Sequence, residues 1–147
     1  MPTLLVVHHT PSPAMQALLE AARAGAALVP DVVVVTRPAL SASASDLLAA
    51  DAVLLGTPAN LGYMSGALKV FFDTVYYPCL EATIGMPYGV YVHGQNDTTG
   101  AIRSIEKVAT GLKWRLAVAP VLVTGEPGAA DRQAVTELGG TLAATIA

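Results

Sequence analysis

The chain has 147 residues, a length that favours one domain. It is 53% hydrophobic and only 13% charged, which excludes a disordered chain and suits a sheet buried on both faces. A net charge of −3 argues against a nucleic-acid surface and is too small to steer a partner strongly.

The first apolar run, Leu4 to Val7, predicts a strand, and Met15, Leu18, Leu19 and Ala22 then recur at helical spacing. Val32 to Val35, all β-branched, predict a second strand, and Ser45 to Ala50 a short helix. Ala52 to Leu55 is a third strand, followed by turn residues from Gly56 and a helix from about Ser65 to Val75. Tyr88 to His93 is the fourth strand. The next helix carries Ile102, Ile105, Val108, Ala109 and Leu112 on one face. Leu116 to Thr124 holds a fifth strand, with Pro120 blurring its limits, and the last helix carries Val135, Leu138, Leu142 and Ile146. Five βα units with short connections predict right-handed crossovers, a parallel sheet and helices on both faces, as a single domain over 1–147.

Pro30, Asp31, Asp51 and Pro120 interrupt the apolar runs well before the roughly 18 residues of a membrane span. The N-terminus, Met-Pro-Thr-Leu-Leu-Val-Val-His-His, lacks the basic region of a signal peptide. The lone cysteine, Cys79, fits a reducing compartment. A cytoplasmic protein with no membrane and no nucleic-acid partner is expected.

Three loops leave strand carboxyl ends, which share one edge of such a sheet and are where α/β proteins bind ligands. The first, His8 to Met15, offers Ser12 as an N-cap and Pro13 as a first helical residue. Its free N–H groups and the Thr10 and Ser12 hydroxyls form either an anion site or an ordinary capped helix start. The second, Gly56 to Gly66, is almost free of charge. Its glycines would let a flat ligand approach the backbone, or would merely turn the chain toward a helix capped by Ser65. The third, His93 to Gly100, holds Thr98 and Thr99, either of which can cap the next helix, and reads equally as a surface turn.

Other residues carry less. His8 and His9 are adjacent on a strand, so they point to opposite faces and no metal site is expected. Cys79 and Trp114 read as packing residues. Tyr63, Tyr76 and Tyr77 could wall a pocket or a dimer contact. Lys69 fits a solvated helix face, or a contact to a cofactor phosphate.

The segment Gly56-Thr57-Pro58, then Gly62-Tyr63-Met64-Ser65-Gly66, then Lys69-Val70-Phe71-Phe72-Asp73, resembles the middle loop of a branch of the flavodoxin-like superfamily. That branch comprises FMN-binding NAD(P)H:quinone oxidoreductases and NADPH-dependent FMN reductases of the tryptophan-repressor-binding-protein type. The βα order extends the resemblance over the whole chain. It implies a three-layer α/β/α sandwich with a five-stranded parallel sheet in the order 2-1-3-4-5. It implies FMN as cofactor and NAD(P)H as electron donor. The resemblance places the phosphate at His9, Thr10, Ser12, Ala14 and Met15. It sets the ring against Pro58, Ala59, Asn60, Leu61, Gly62 and Met64 on one side. The ring's pyrimidine edge or other face meets His93, Gly94, Gln95, Asn96 and Asp97.

The implied activity is ping-pong hydride transfer to a small acceptor, a quinone or free flavin, with no catalytic side chain because the flavin carries the chemistry. A homodimer or homotetramer is implied as well. The phosphate loop departs from the pattern Ser/Thr-x-Thr/Ser-Gly-x-Thr: Pro13 replaces the Gly and removes an N–H, and Met15 replaces the last hydroxyl, so weaker FMN binding is expected. Two alternatives stand beside the reductase. One is a flavodoxin-type single-electron carrier; the other is a non-catalytic module whose phosphate loop has decayed. A phospho-receiver is excluded, because the first and third strands end in His8-His9 and Gly56-Thr57 rather than in acidic residues.

Overall fold

The computed structural model describes residues 1–147. Strand β1 (Thr3–His8) is followed by helix α1 (Pro13–Ala27), β2 (Val33–Pro38), a 3-10 turn (Ala39–Ser41) and α2 (Ala44–Leu48). Then come β3 (Ala52–Asn60), β4 (Tyr63–Met64), α3 (Gly66–Cys79), β5 (Pro87–Gly94) and α4 (Thr99–Gly111). The chain closes with β6 (Arg115–Leu116), β7 (Val121–Thr124) and α5 (Ala129–Ile146). No helix is long and apolar enough to cross a membrane.

The strands pair in parallel in the order β2-β1-β3-β5, and β6 and β7 in turn fill the next position beside β5. Counting that position once, the order is the predicted 2-1-3-4-5. Alternation along the strands divides the core into two layers. Leu5, Val7, Val53, Leu55, Val90 and Val92 face α2, α3 and α4, with Phe71, Phe72 and Trp114 filling that side. Leu4, Val6, Leu54 and Tyr91 face α1 and α5, against Met15, Leu18, Val135, Leu138 and Leu142.

The strand limits that differ most from the sequence reading are those of the third and fifth strands, each for a pairing reason. The third strand does not turn at Gly56 but runs on to Asn60, because partners flank it on both sides: Gly56 lies opposite His8 of β1, and Pro58 opposite His93 of β5. The fifth strand is broken at the proline. Tyr88 pairs Leu116 and Tyr91 pairs Val121, so three steps along β5 match five along its neighbour. The two extra residues form a bulge that ends at Pro120, which has no N–H for the ladder.

Candidate functional site

The segment with the longest sequence pattern is a β-hairpin. Ala59 pairs Met64 and Asn60 pairs Tyr63, leaving Leu61 and Gly62 as a two-residue turn. Both have positive φ, 51° and 74°, as a type I′ hairpin requires. The rest of the motif braces this hairpin from below. The buried Thr57 hydroxyl donates to the Pro58 carbonyl (2.8 Å) and accepts from the Ser65 amide (3.0 Å). Ser65 then caps α3 by accepting from the Leu68 amide at 3.2 Å. The Met64 amide donates to Ser104 Oγ of α4 at 3.1 Å. Helix α4 also abuts the turn directly, since a methyl group at Gly100 would lie 1.9 Å from the Gly62 carbonyl oxygen.

Gly56, expected to bare the backbone for a ligand, serves packing instead. A methyl group there would lie 2.1 Å from the Tyr91 ring and 2.2 Å from its hydroxyl. Tyr91 is wholly buried, its hydroxyl has no partner, and burial holds its pKa far above the ordinary tyrosine value.

The loop before α1 is built differently. Ser12 is the N-cap, its Oγ accepting from the Met15 amide at 3.2 Å, with Pro13 following as expected. The Gln16 amide is satisfied by the Ser12 carbonyl, and the His9 amide donates to the Gly56 carbonyl. Pro11 and Pro13 have no N–H to give. The amides of Thr10, Ser12 and Ala14 therefore remain without an acceptor in the protein, at the positive end of a helix of 15 residues. The Thr10 hydroxyl sits 2.7 Å from His8 Nδ1.

The third loop begins where β5 ends. His93 is buried and its Nε2 donates to the Gly125 carbonyl at 2.7 Å, tying β5 to the loop after β7. Thr98 holds the N-cap position of α4, but its side chain makes no cap bond; the Asp97 Oδ1 accepts from the Thr99 amide instead, at 2.9 Å. That backbone bond, with the Thr99 hydroxyl, holds the Asp97 carboxyl below the usual carboxylate range. The amides of Gln95 and Asn96 find no backbone acceptor.

The three loops meet. One cleft is lined by Pro11, Ser12, Pro58, Asn60, His93 and Gly94, with Ala59 and Gln95 at its outer end. A second, sharing Ala59 and Gln95, continues along Leu61, Gly62, Asn96 and Asp97. Their volumes, about 200 and about 280 Å³, bring the pair into the range of small-molecule sites. The cleft is shallow, for Asn60, Leu61, Gln95, Asn96 and Asp97 are all exposed.

Two predicted site residues are not available through their side chains. Met15 and Met64 are buried in opposite core layers, drawn inward by the apolar area they hide. Their amides are also engaged, with Ser12 and Ser104. Lys69 pairs with Asp73 at 2.6 Å, beside Phe72, Tyr76 and Tyr77 in a groove between α3 and α4 that no residue of the first loop lines. Cys79 and Trp114 are core residues, the Trp114 indole donating to Thr83 Oγ1 at 2.9 Å. Sequence reasoning passed over His8 once metal binding was set aside. Period-2 alternation places its side chain on the same face as that of Thr10, and this was the available signal.

An α/β/α sandwich in the order 2-1-3-4-5, with its cleft at the carboxyl edge of the central strands, has the flavodoxin-like fold. Solved structures share it end to end. A flavodoxin, WrbA-like protein from Agrobacterium tumefaciens superposes with TM-score 0.80 at 18% identity, covering 99% of this chain and 98% of that one. A flavodoxin from the domain Archaea gives 0.83 at 20%, covering 98% of each chain. An oxidoreductase from Corynebacterium diphtheriae gives 0.73 at 21%, covering 99% and 97%. At such identities the likeness is one of fold. No protein-family model matches the sequence, and no curated protein matches it.

Proposed function

We propose that this chain binds FMN at the carboxyl edge of its sheet and serves as a flavodoxin-type electron carrier. The supporting observation is the meeting of the three loops around one open cleft, with unbonded amides at the helix end of it. The donor set fits the cofactor. The amides of Thr10, Ser12 and Ala14 and the hydroxyls of Thr10 and Ser12 would hold the phosphate, with His9 beside them. Pro58 to Gly62 would lie along one side of the ring, and Gly94 to Asp97 along the other, with His93 closing the base.

FMN, when bound, supplies the redox chemistry, and the protein supplies binding, orientation and electrostatics. In this chain the Gln95 and Asn96 amides are donors for a polar ring edge. The Asp97 carboxylate beside them disfavours further negative charge there. The exposed rim favours the carrier, because a shallow cleft leaves a bound ring open to a protein partner and offers little enclosure for a small substrate. Neighbours of this fold are mostly described as flavodoxins, including those from Archaea, Megasphaera elsdenii and Streptococcus pneumonia.

The second reading is an NAD(P)H-dependent reductase of quinones or free flavin. The Gly62 to Gly66 pattern favours it, as do the neighbours described as WrbA-like and as an oxidoreductase. The test is to add FMN to the protein, record the visible spectrum, and then offer either NAD(P)H with a quinone or a partner reductase. Fast reduction by the reductase alone supports the carrier, and steady NAD(P)H turnover supports the enzyme. A preparation that takes up no FMN sinks both and leaves the non-catalytic module. Ser12→Glu would set a carboxylate against the phosphate and is expected to abolish FMN retention. Full occupancy in that variant would overturn the phosphate assignment.

A further inference from the structure

We propose that His8 is a positioning residue of the anion site at the start of α1. Its imidazole sets the direction of the Thr10 hydroxyl and takes up a proton when a phosphate ester binds. The inference rests on the phosphate assignment above and adds to it a residue that the ligand need not touch.

The geometry carries it. His8 Nδ1 and Thr10 Oγ1 are 2.7 Å apart, so one of them donates to the other. If the Nδ1 atom is bare, the Thr10 hydrogen turns inward to it and the hydroxyl presents lone pairs to the cleft, which repel an anion. If Nδ1 carries hydrogen, Thr10 accepts from the ring and its own hydrogen is free to point outward at a phosphate oxygen. The imidazolium has no choice: both ring nitrogens are donors. Protonated His8 therefore forces the binding orientation of Thr10 and adds a positive charge behind a loop that has neither Lys nor Arg between His8 and Ala14.

The unliganded surroundings oppose that charge. Across the sheet, His8 lies opposite Pro38 of β2 and Gly56 of β3, neither of them ionisable. Over Gly56 lies the ring of Tyr91 from β5, neutral and with its buried hydroxyl unpartnered. From α1 the charged group felt is Arg23, and along β1 it is His9. Burial first, then Arg23 and His9, hold the His8 pKa below its ordinary value of 6.5. No carboxylate is among these groups, so a bound phosphate would supply the missing counter-charge. A flavin without phosphate would not.

The experiment measures FMN and riboflavin affinities between about pH 5.5 and 8.5 for the protein and for His8→Asn. Asparagine keeps an amide hydrogen for Thr10 but cannot titrate. The phosphate of FMN titrates near pH 6 by itself, so the quantity read is the affinity ratio of protein to variant, in which that contribution cancels. The expected ratio for FMN falls about tenfold as pH rises across the range, while that for riboflavin stays flat. In parallel, the His8 imidazole resonances of the unaltered protein are followed by NMR as pH is varied, with and without inorganic phosphate, and the pKa is expected to rise when phosphate is present.

A flat FMN ratio, or a His8 pKa that ignores phosphate, overturns the role of His8. If inorganic phosphate raises the His8 pKa but neither flavin binds, the role stands and the flavin reading falls instead.

Discussion

The β3–β4 hairpin and the loop before α1 lie side by side at one cleft, yet they are held by opposite means. The hairpin is fixed by side chains at a distance. Thr57 and Ser65 lock its two ends, Ser104 reaches it from α4, and Gly100 gives α4 room to press on its turn. The α1 loop is shaped by its own backbone, through two prolines and one cap, which leaves the Thr10, Ser12 and Ala14 amides without an acceptor and the Thr10 hydroxyl against His8. A segment that needs many particular residues to stand up leaves a long sequence pattern. A segment that needs only backbone leaves a loose one. The stringent pattern at the hairpin therefore reports support as much as ligand contact.

The comparison would break first at Gly56. A methyl group 2.1 Å from a buried ring must displace either the ring or β3. Gly56→Ala is expected to cost about 3 kcal/mol or more in chemical denaturation. Combined with Tyr91→Leu, which clears the ring, much of the loss should return. If Gly56→Ala alone is neutral in stability and lowers FMN affinity, Gly56 belongs to the ligand and not to the support.

Thr57→Val sharpens the same point at smaller cost. It leaves the buried Ser65 amide without an acceptor, and about 2 kcal/mol of stability should go with it. The matching change in the other loop, Thr10→Val, breaks no buried bond that the fold requires. It should leave the denaturation midpoint nearly unchanged and weaken FMN binding. Equal losses of stability in the two variants would erase the contrast.

Acid should act on the α1 side through His8. The folded-state pKa lies below 6.5, so as pH falls the unfolded chain binds the proton first. His8 thus leaves stability intact above about pH 6.5 and removes some of it on the way to pH 5, an effect smaller than either substitution in the hairpin. Comparing midpoints at pH 7.5 and 5 (about the window set by the histidine pKa) for the protein and for His8→Asn isolates this share. An identical drop in both would assign the loss to other groups.

Much of this was legible in sequence, and the exceptions have physical causes. The alternation of strands and helices followed from apolar runs such as Val53 to Leu55 and from the helical spacing of Ile102, Ile105 and Ala109, because burial imposes those periods, while the strand order came from the family resemblance. Gly56 and Pro58 read as a turn, since nothing local tells that β1 and β5 both extend far enough to keep β3 in register. The fit of Gly56 to Tyr91 joins residues 35 positions apart (91 − 56), visible only once that register is known. The sequence offered Thr98 and Thr99 as caps of α4; Thr98 takes the N-cap position, and only backbone geometry decides that the Asp97 carboxylate, not a threonine hydroxyl, meets the Thr99 amide.

The smallest effect concerns the tip of the hairpin. Leu61 holds φ 51°, where a leucine is strained and Asn or Gly is at ease, and its side chain is wholly exposed. Nothing in the fold rewards leucine at that position. Leu61→Asn should therefore stabilise the unliganded protein, by about 0.5 kcal/mol, through relief of backbone strain. The same change removes an apolar side chain from the rim of the cleft, beside Gly62 and Asn96. If the hairpin tip covers a bound ring, Leu61→Asn gains stability and loses FMN affinity together, since strain retained at a site is offset by what the site binds. A gain in stability with FMN affinity unchanged would make the tip a bystander, and would shift the burden of flavin binding onto Gly94 to Asp97 and the α1 loop.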